Sequence, residues 1–417
     1  MVGNSGNSGQ PHVHINIQKA ATDTTEDPPF GMKFIQGWAQ AYKNSDRATS
    51  NWLPLKRSSI TNANGDTMFH PSPFLRRGSI TAGPVFDLDL IDFPTNGHVV
   101  TAVSDEQRNL KLISWFTGGK EFTRKADISA GRISEVKMVR DGNRLVVAVR
   151  DDSNDLKLIL FSLSNTGELF RLTDASAGLI GRLSMAVTRQ AKPKIVTAVR
   201  DASGNLKVIV WQVTQSGIER LGQASAGLIA DVAITEARNF HGVITAVREQ
   251  SGNLKVIPWR ISLDGRTVTR GNDVEAGFVG SQISVASIQQ AAVVAARDSE
   301  GKLRVISFEL SANGDIVARR ETEVAGSASG VDIDTTPQSG NNVVTTVKDG
   351  SGSLRMIAWT MDPTGRNLRR GSASDAGGIG MFSAVGSARQ GGDIMLTAMK
   401  DGQGKLKLIY WDVNLNP

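Results

Sequence analysis

The sequence predicts an all-β fold assembled from seven copies of one repeat, and two independent markers give that count. The first marker is an aromatic residue that closes an apolar run and recurs every 46 to 52 residues. These aromatic residues are Trp115, Phe161, Trp211, Trp259, Phe308, Trp359 and Trp411. The second marker is an Ala-Gly pair, whose glycines are Gly83, Gly131, Gly178, Gly227, Gly277, Gly326 and Gly377. A period of this length is typical of solenoids, propellers and related arrays.

Each repeat carries four short strand signals. The first follows the Ala-Gly pair, as in residues 229–235, and the second is an apolar run, as in residues 196–199. The third and fourth correspond to residues 206–211 and 218–221, and Gly/Asn/Ser turns separate successive signals. Four antiparallel strands in about 49 residues match one propeller blade. The sequence therefore predicts a seven-bladed β-propeller of four-stranded antiparallel blades, preceded by a partial β domain.

The two ends of the repeat region complement each other. The last repeat stops after its third strand, whereas residues 74–78 match the fourth-strand pattern and precede the first Ala-Gly pair. We expect this N-terminal strand to complete the blade that contains Trp411 and so to close the ring, which removes two exposed sheet edges.

Composition excludes several classes of protein. The 417 residues are 40% hydrophobic and contain no cysteine, which rules out disulfides and thiolate metal sites. No apolar run is long enough to cross a membrane. The 47 basic and 41 acidic residues are scattered singly, which argues against a nucleic-acid partner, since such proteins carry a dense basic face. The N-terminus lacks the features of a signal peptide, and no compartment is assigned to this chain.

Three charged positions also recur in every repeat. An arginine stands six residues before the alanine of the pair, an acid ends each second strand, and a basic residue is second in each third strand. We expect the three to gather at one end of each blade. One interpretation is structural: Arg220 would then pair with Asp201 or Glu249. The other is that these residues form equivalent ligand pockets, as in lectin-like propellers. We interpret the glycine of the Ala-Gly pair as a residue that a sterically crowded link between repeats requires.

A separate motif lies near the N-terminus. After Pro11 the residues alternate, so that His12, His14 and the next two polar residues share one face of a predicted strand. Two imidazoles about 7 Å apart along a strand could share a metal ion, or divide into one ligand and one acid/base.

The run Gly-Asn-Ser-Gly-Asn followed by Pro-His-Val-His resembles the C-terminal end of the lysostaphin-type (M23) zinc metallopeptidases over residues 2–18. The resemblance implies that His14 is a zinc ligand and that His12 is the catalytic histidine, with zinc activating the attacking water. That family places a second histidine and an aspartate upstream of this motif, and no match to them is found here. The sequence therefore predicts a peptidase remnant at residues 1–40, a linker packing on the propeller at 41–72, and the propeller at 73–417.

Two functions follow from these observations. The first is a non-catalytic binding or scaffold propeller that recognises a cell-surface, glycan or protein ligand. The alternative is a zinc endopeptidase that hydrolyses peptidoglycan or peptide cross-links, whose upstream half lies outside this chain. The resemblance implies a bacterial parent protein that acts outside the cell or in its envelope. Neither the propeller's ligand nor an oligomeric state is predicted.

Overall fold

The structure of the chain is a computed structural model. It describes residues 14–17, 30–35, 38–43, 52–54, 60–61, 67–69, 74–93, 96–118, 121–336, 342–378, 384–386 and 394–413. The chain divides into two compact units, one of Met1–Leu75 with Asn414–Pro417 and one of Arg76–Val413. The described residues contain strands and turns and no α-helix, so none of them belongs to a helix long and apolar enough to cross a membrane.

The first unit contains one antiparallel sheet and one hairpin. The sheet has the order β1-β2-β3-β4, and β5 pairs with β6. The strands are β1 (His14–Ile17), β2 (Phe30–Ile35), β3 (Trp38–Lys43), β4 (Trp52–Pro54), β5 (Ile60–Thr61) and β6 (Thr67–Phe69). The segment 32–42, for which periodicity does not distinguish strand from helix, thus forms β2 and β3. The sheet includes residues on both sides of position 40, and the division there between remnant and linker stays a prediction.

The remaining strands form a regular antiparallel series. They are β7 (Phe74–Phe93), β8 (His98–Asp105), β9 (Asn109–Phe116), β10 (Thr123–Asp141), β11 (Arg144–Asp151), β12 (Asp155–Leu163), β13 (Leu169–Val187), β14 (Ile195–Asp201), β15 (Asn205–Val213), β16 (Ile218–Glu236), β17 (Gly242–Glu249), β18 (Asn253–Ile261), β19 (Val268–Arg270), β20 (Val274–Phe278), β21 (Ile283–Ile288), β22 (Ala291–Arg297), β23 (Lys302–Leu310), β24 (Ile316–Thr335), β25 (Asn342–Asp349), β26 (Ser353–Thr360), β27 (Arg369–Gly378), β28 (Ala384–Gly386), β29 (Ile394–Lys400) and β30 (Lys405–Val413).

These strands pair in consecutive groups, each of which corresponds to one repeat of the sequence. The groups are β7-β8-β9-β10, β10-β11-β12-β13, β13-β14-β15-β16, β16-β17-β18 with β19 and β20, β21-β22-β23-β24, β24-β25-β26-β27, and β28-β29-β30. This arrangement is all-β, antiparallel and propeller-like.

One feature of the strands differs from the sequence prediction. The fourth strand of one repeat and the first strand of the next are a single long strand in several places, for example β16. Its first part pairs with β15 and its second part pairs with β17. The Ala-Gly pair lies between the two parts, and its backbone stays extended instead of turning, so the chain passes from one group to the next without a break.

The core is organised around the recurring aromatic residue of the third strand. The Trp211 side chain is 1% exposed, and its Nε1 donates a hydrogen bond to Thr197 Oγ1 on the neighbouring second strand at 3.0 Å. The second strand is buried along most of its length, as its apolar run predicts. Equivalent Trp–Thr bonds occur at Trp115, Trp259, Trp359 and Trp411.

The two ends of the second unit contact each other. Strand β7 is hydrogen-bonded to β30. Arg77 Nε lies 2.6 Å from Asp412 Oδ2, and the Val85 amide donates to the Gly404 carbonyl at 3.0 Å. The same amide-to-carbonyl bond joins Ile229 to Gly204 between two groups in mid-chain. The N-terminal strand therefore lies beside β30.

Candidate functional site

The charged residues that recur in each repeat gather beside the Ala-Gly link, at one end of the strands. The best-defined example is a cleft of about 180 Å³. Its walls include Gly227, Leu228, Glu249, Lys255, Ile257 and Arg270. The acid, the third-strand basic residue and the arginine of one repeat thus share one cleft, as the sequence predicts. The cleft is smaller than the roughly 300–1,000 Å³ pockets that enclose drug-sized ligands, and its size suits one sugar ring or one side chain.

Lys255 is the most strongly paired cation of this cleft. Its Nζ lies 2.7 Å from Glu249 Oε1, 3.2 Å from Glu275 Oε1 and 3.6 Å from Asp273 Oδ2. Lys255 donates hydrogen bonds to Glu249 and Glu275, and both bonds favour the charged form of the amine and raise its pKa. Asp273 also accepts a 2.8 Å bond from Arg270, so its carboxylate joins the two cations of the cleft.

The predicted partner of the recurring arginine is wrong. Arg220 donates its hydrogen bond to Gln223, three residues further along β16, and neither Asp201 nor Glu249 is that partner. The physical reason is a β-bulge: Trp211 lies opposite Arg220, but Ile209 lies opposite Gln223, so β16 has one extra residue there. The bulge brings positions three apart onto one face of the strand.

The same contact recurs along the chain. In each case an arginine donates a hydrogen bond to a polar side chain three residues later. The N···O distance is 2.6 to 2.8 Å in five of the six pairs. The pairs are Arg76–Ser79, Arg124–Asp127, Arg171–Asp174, Arg220–Gln223, Arg270–Asp273 and Arg319–Thr322. The sequence analysis missed this acceptor, although its recurrence at a fixed distance from the arginine is visible in the sequence.

The acid that ends each second strand has a different role from the predicted one. Asp201 Oδ1 accepts the backbone N–H groups of Ser203 and Asn205, both at 2.9 Å, and so caps its own hairpin turn. The same two bonds are made by Asp105, Asp151, Asp298, Asp349 and Asp401. Glu249, whose side chain is longer, pairs with Lys255 instead.

The prediction that the Ala-Gly glycine lies in a sterically crowded link is also wrong. A Cβ added at Gly83, Gly131, Gly227 or Gly326 would meet no heavy atom within 4 Å, and none of these residues has a left-handed φ. A left-handed φ requires glycine at Gly178 and Gly277, where φ is +84° and +76°. At the other described links, the space beside the glycine is open.

A second cluster of charges lies on the first strands of successive groups. Asp87 Oδ2 accepts the Val136 amide at 2.9 Å, and Asp89 Oδ2 accepts the Met138 amide at 2.6 Å. Glu135 Oε1 accepts the Leu183 amide at 3.2 Å. These bonds tie the first strand of the first group to that of the second, and the first strand of the second group to that of the third.

Burial dominates the protonation of these carboxyl groups. It raises the pKa of Asp89 to about 6 and that of Glu135 to about 7, in spite of the nearby Lys137 ammonium. Burial lowers the pKa of Lys137, but the carboxylates of Asp89, Asp87, Glu135 and Asp332 outweigh it and raise the pKa. The influence of Asp332, from a group far along the chain, indicates that first strands of non-neighbouring groups approach one another.

The predicted zinc motif lies largely outside the described residues. His12 is one of the residues outside them, and His14 is the first residue of β1, with its Cα opposite Lys33. In the part of the chain that the structure describes, no group of three or more His, Cys, Asp or Glu side chains is arranged to hold a metal ion. The roles of His12 and His14, and the expectation that the zinc site is incomplete within this chain, stay predictions.

Comparison with known proteins supports the fold alone. No family model matches the chain, and no curated protein matches it. A crystal structure of a protein from Lactobacillus plantarum is similar, with 12% identity and a TM-score of 0.53 over 82% of this chain and 92% of that one. A chain of the mitotic checkpoint complex has 13% identity and a TM-score of 0.54 over 86% and 99%. A chain of BBS1N in complex with ARL6DN has 12% identity and a TM-score of 0.52 over 81% and 97%. These structures share the all-β, propeller-like fold.

Proposed function

We propose that this chain is a non-catalytic binding or scaffold propeller, in which seven four-stranded blades form a ring closed by β7 beside β30. Its binding surface is the set of clefts at the Ala-Gly links, which recognise a cell-surface, glycan or protein ligand. The repeated groups of strands and the bonds of Arg77 and Val85 to the last group support the ring.

The observation that carries the binding function is an open glycine beside a pair of cations. Gly227 faces free space in a cleft whose walls include Lys255 and Arg270. A need for tight packing does not explain this glycine, whereas a need to keep the cleft open for a ligand does. The clefts recur with the repeat, so a ligand with several copies of one group could occupy more than one of them and bind with higher avidity.

The similar structures support a binding role in a general way. Two of the three come from assemblies of several proteins, the mitotic checkpoint complex and the complex of BBS1N with ARL6DN. Fold alone does not specify a function, so the proposal depends on the clefts.

The test fills one cleft without disturbing the strands. Gly227→Leu places a side chain in the open space, and we expect the free energy of unfolding to change by about 0.5 kcal/mol or less, as for other surface substitutions. Binding of the labelled chain to a printed glycan array and to intact bacterial cells should decrease. Ser216→Leu, in an exposed turn between β15 and β16, is the matched control. The proposal fails if ligands bound by the parent are bound equally well by Gly227→Leu.

A further inference from the structure

Six of these charged sites, which we call clefts after the one beside Gly227, differ in one charge and are of two kinds. In the seventh, beside Arg370, Ala373 replaces the acceptor and Arg355 pairs with Asp375. In one kind a carboxylate joins the third-strand cation to the recurring arginine. Asp127 Oδ2 lies 3.1 Å from Lys111 Nζ while its Oδ1 lies 2.6 Å from Arg124 Nη2. Asp174 joins Lys157 and Arg171 with distances of 3.0 and 2.6 Å. We call these filled clefts, and the Arg270 cleft with Asp273 is a third.

In the other kind the bridging carboxylate is replaced by a neutral side chain. The acceptor is Gln223 beside Arg220, Thr322 beside Arg319, and Ser79 beside Arg76. The third-strand cations of these three repeats are Lys207, Arg304 and Lys407, and among the described residues none of the six cations forms an ion pair with a carboxylate. We call these open clefts.

In two open clefts, burial and a second cation outweigh the nearby acid, Asp298 or Asp401, and lower the pKa of the third-strand cation. Burial lowers the pKa of Arg304, and the neighbouring Arg319 guanidinium lowers it further. Burial and the neighbouring Arg76 likewise lower the pKa of Lys407. In the filled clefts the opposite holds for the bridging acid: although burial raises its pKa, the bonds from Lys111 and Arg124 lower the pKa of Asp127 overall. Two cations that face one another without a bridging carboxylate favour binding of an anion from outside.

Geometry places that anion. In the filled clefts one carboxylate accepts from both cations at once, so the two cationic groups of a cleft can reach a single anion. The backbone around Arg220 has the same bulge as that around Arg171 and Arg124. A ligand carboxylate or sulfate can therefore displace the neutral acceptor Gln223 and accept from both Arg220 and Lys207, as Asp174 accepts from Arg171 and Lys157.

The walls of the open clefts favour a saccharide over a peptide. The link that enters the Arg220 repeat exposes Leu179, which is 55% exposed, and the link that enters the Arg319 repeat exposes Phe278, which is 51% exposed. Arg304 Nη1 donates to the Phe278 carbonyl at 3.2 Å, so this apolar ring belongs to the residue that holds a cleft cation. An apolar surface beside cationic donors suits a pyranose, which has an apolar C–H face and an acidic or hydroxyl rim.

We propose that the open clefts at Arg76, Arg220 and Arg319 bind the carboxylate or sulfate groups of an acidic saccharide. This inference rests on the proposed binding function and specifies which clefts act and what chemistry they recognise. The filled clefts, including the one beside Gly227, carry their own anion, so they contact other parts of such a ligand and not its acidic groups.

The experiment measures binding of defined probes to the full chain by isothermal titration calorimetry at low salt. The probes are a glucuronate-containing tetrasaccharide, a sulfated tetrasaccharide, and the tetrasaccharide in which each glucuronate has been reduced to glucose. An Asp/Glu peptide of equal charge is the fourth probe. We expect the acidic saccharides to bind, with affinity that falls as salt rises, and the reduced saccharide and the peptide to bind at least tenfold more weakly. The two acidic probes distinguish carboxylate from sulfate recognition.

Substitutions that exchange the two kinds of cleft provide the decisive comparison. The triple variant Ser79→Asp, Gln223→Asp and Thr322→Asp introduces the bridging acid that other repeats already use, and we expect it to fold and to lose acidic-saccharide binding by at least tenfold. Gln215→Asp, in an exposed turn, is the control for added charge. Conversely, Asp174→Gln opens a filled cleft and should add one binding site per chain, whereas Glu168→Gln, an exposed charge elsewhere, should not.

Each outcome decides between the proposals. Unchanged binding of the acidic saccharides by the triple variant, or equal behaviour of Asp174→Gln and Glu168→Gln, overturns the acidic-saccharide inference. Preferential binding of the peptide overturns it as well. If the chain instead binds neutral glycans that Gly227→Leu blocks, the inference fails while the proposed binding function stands. If no ligand responds to Gly227→Leu or to the exchanged acids, both fail.

Discussion

At the scale of single residues, the identity of the core aromatic residue is coupled to a residue fourteen positions earlier. Where the aromatic residue is tryptophan, that position is threonine, as in the buried pair Trp211 and Thr197. Where it is phenylalanine, that position is valine: Val147 precedes Phe161, and Val294 precedes Phe308. The indole N–H needs an acceptor when it is buried, and the phenyl ring does not. The rule can be read from the sequence, but its cause appears only with the hydrogen bond.

This coupling gives the first prediction. Thr197→Val should lower the free energy of unfolding by about 1–3 kcal/mol, because it leaves a buried indole N–H without an acceptor. In a chain that also carries Trp211→Phe, the same substitution should cost clearly less, since the repeat then has the Phe–Val pair found at Phe161. Denaturant unfolding of the parent, both single variants and the double variant measures the coupling energy. Additive effects would mean that the bond has no energetic role.

A buried carboxyl group gives the second prediction, on pH. The folded-state pKa of Glu135 is about 7, above its ordinary value of 4.5, so the folded chain holds this proton more tightly than the unfolded chain. The stabilisation from that proton is complete below about pH 4.5 and is lost as pH rises through about 7. Glu135→Gln keeps the acceptor for the Leu183 amide and cannot ionise. As pH rises from 5 to 8, the free energy of unfolding of the variant relative to that of the parent should therefore increase by on the order of 2–3 kcal/mol. Thermal melts across this range test it, and a constant difference between the two proteins would contradict it.

At the scale of strands, the sequence predicts most of the pattern and misses the way strands are joined. The positions of β14, β15 and the start of β16 follow from apolar runs and turn residues. The long strands were not predicted, because an Ala-Gly pair suggests a crowded crossover, whereas in β16 its backbone remains extended. The bulge at Arg220 was missed for a related reason: one extra residue changes which side chains share a face without changing composition. Without knowledge of this bulge, Gln223 could not be identified as the residue that accepts the hydrogen bond of Arg220.

Pairing of β7 with β30 gives the third prediction. A chain that begins at residue 80 lacks the first part of β7, including the Arg77 contact with Asp412, whereas one that begins at residue 73 keeps it. We expect the shorter chain to be less stable by several kcal/mol, because apolar area on β30 is exposed at about 25 cal/mol per Å². It should also self-associate through the exposed strand edge. Arg77→Ala alone should cost about 1 kcal/mol or less, since the ion pair is partly exposed. Equal melts of the two truncated chains would exclude this role of β7.

At the scale of the whole molecule, the repeat carries the fold, and the differences between repeats carry the specificity that we propose. The repeats share three features: the aromatic residue, the capped turn and the recurring arginine. They can be recognised in the sequence because they recur at a regular spacing. The bridging acids Asp127, Asp174 and Asp273 and their neutral replacements break that period. A search for recurring residues does not detect these departures from the repeat. Their effect on the charge of a cleft can be recognised only from the positions of the side chains.

The division of the chain into two compact units gives the last prediction. Residues 76–413 form one unit, with buried core residues in every group of strands. We therefore expect a chain of residues 73–417 to fold on its own, to melt within about 2 °C of the corresponding transition of the full chain, and to keep the binding that Gly227→Leu removes. Any zinc bound through His14 should, in contrast, be lost with residues 1–72, as measured by metal analysis of both purified chains. A truncated chain that aggregates, or that melts far below the parent although residue 73 is retained, would show that the second unit depends on the first for its stability.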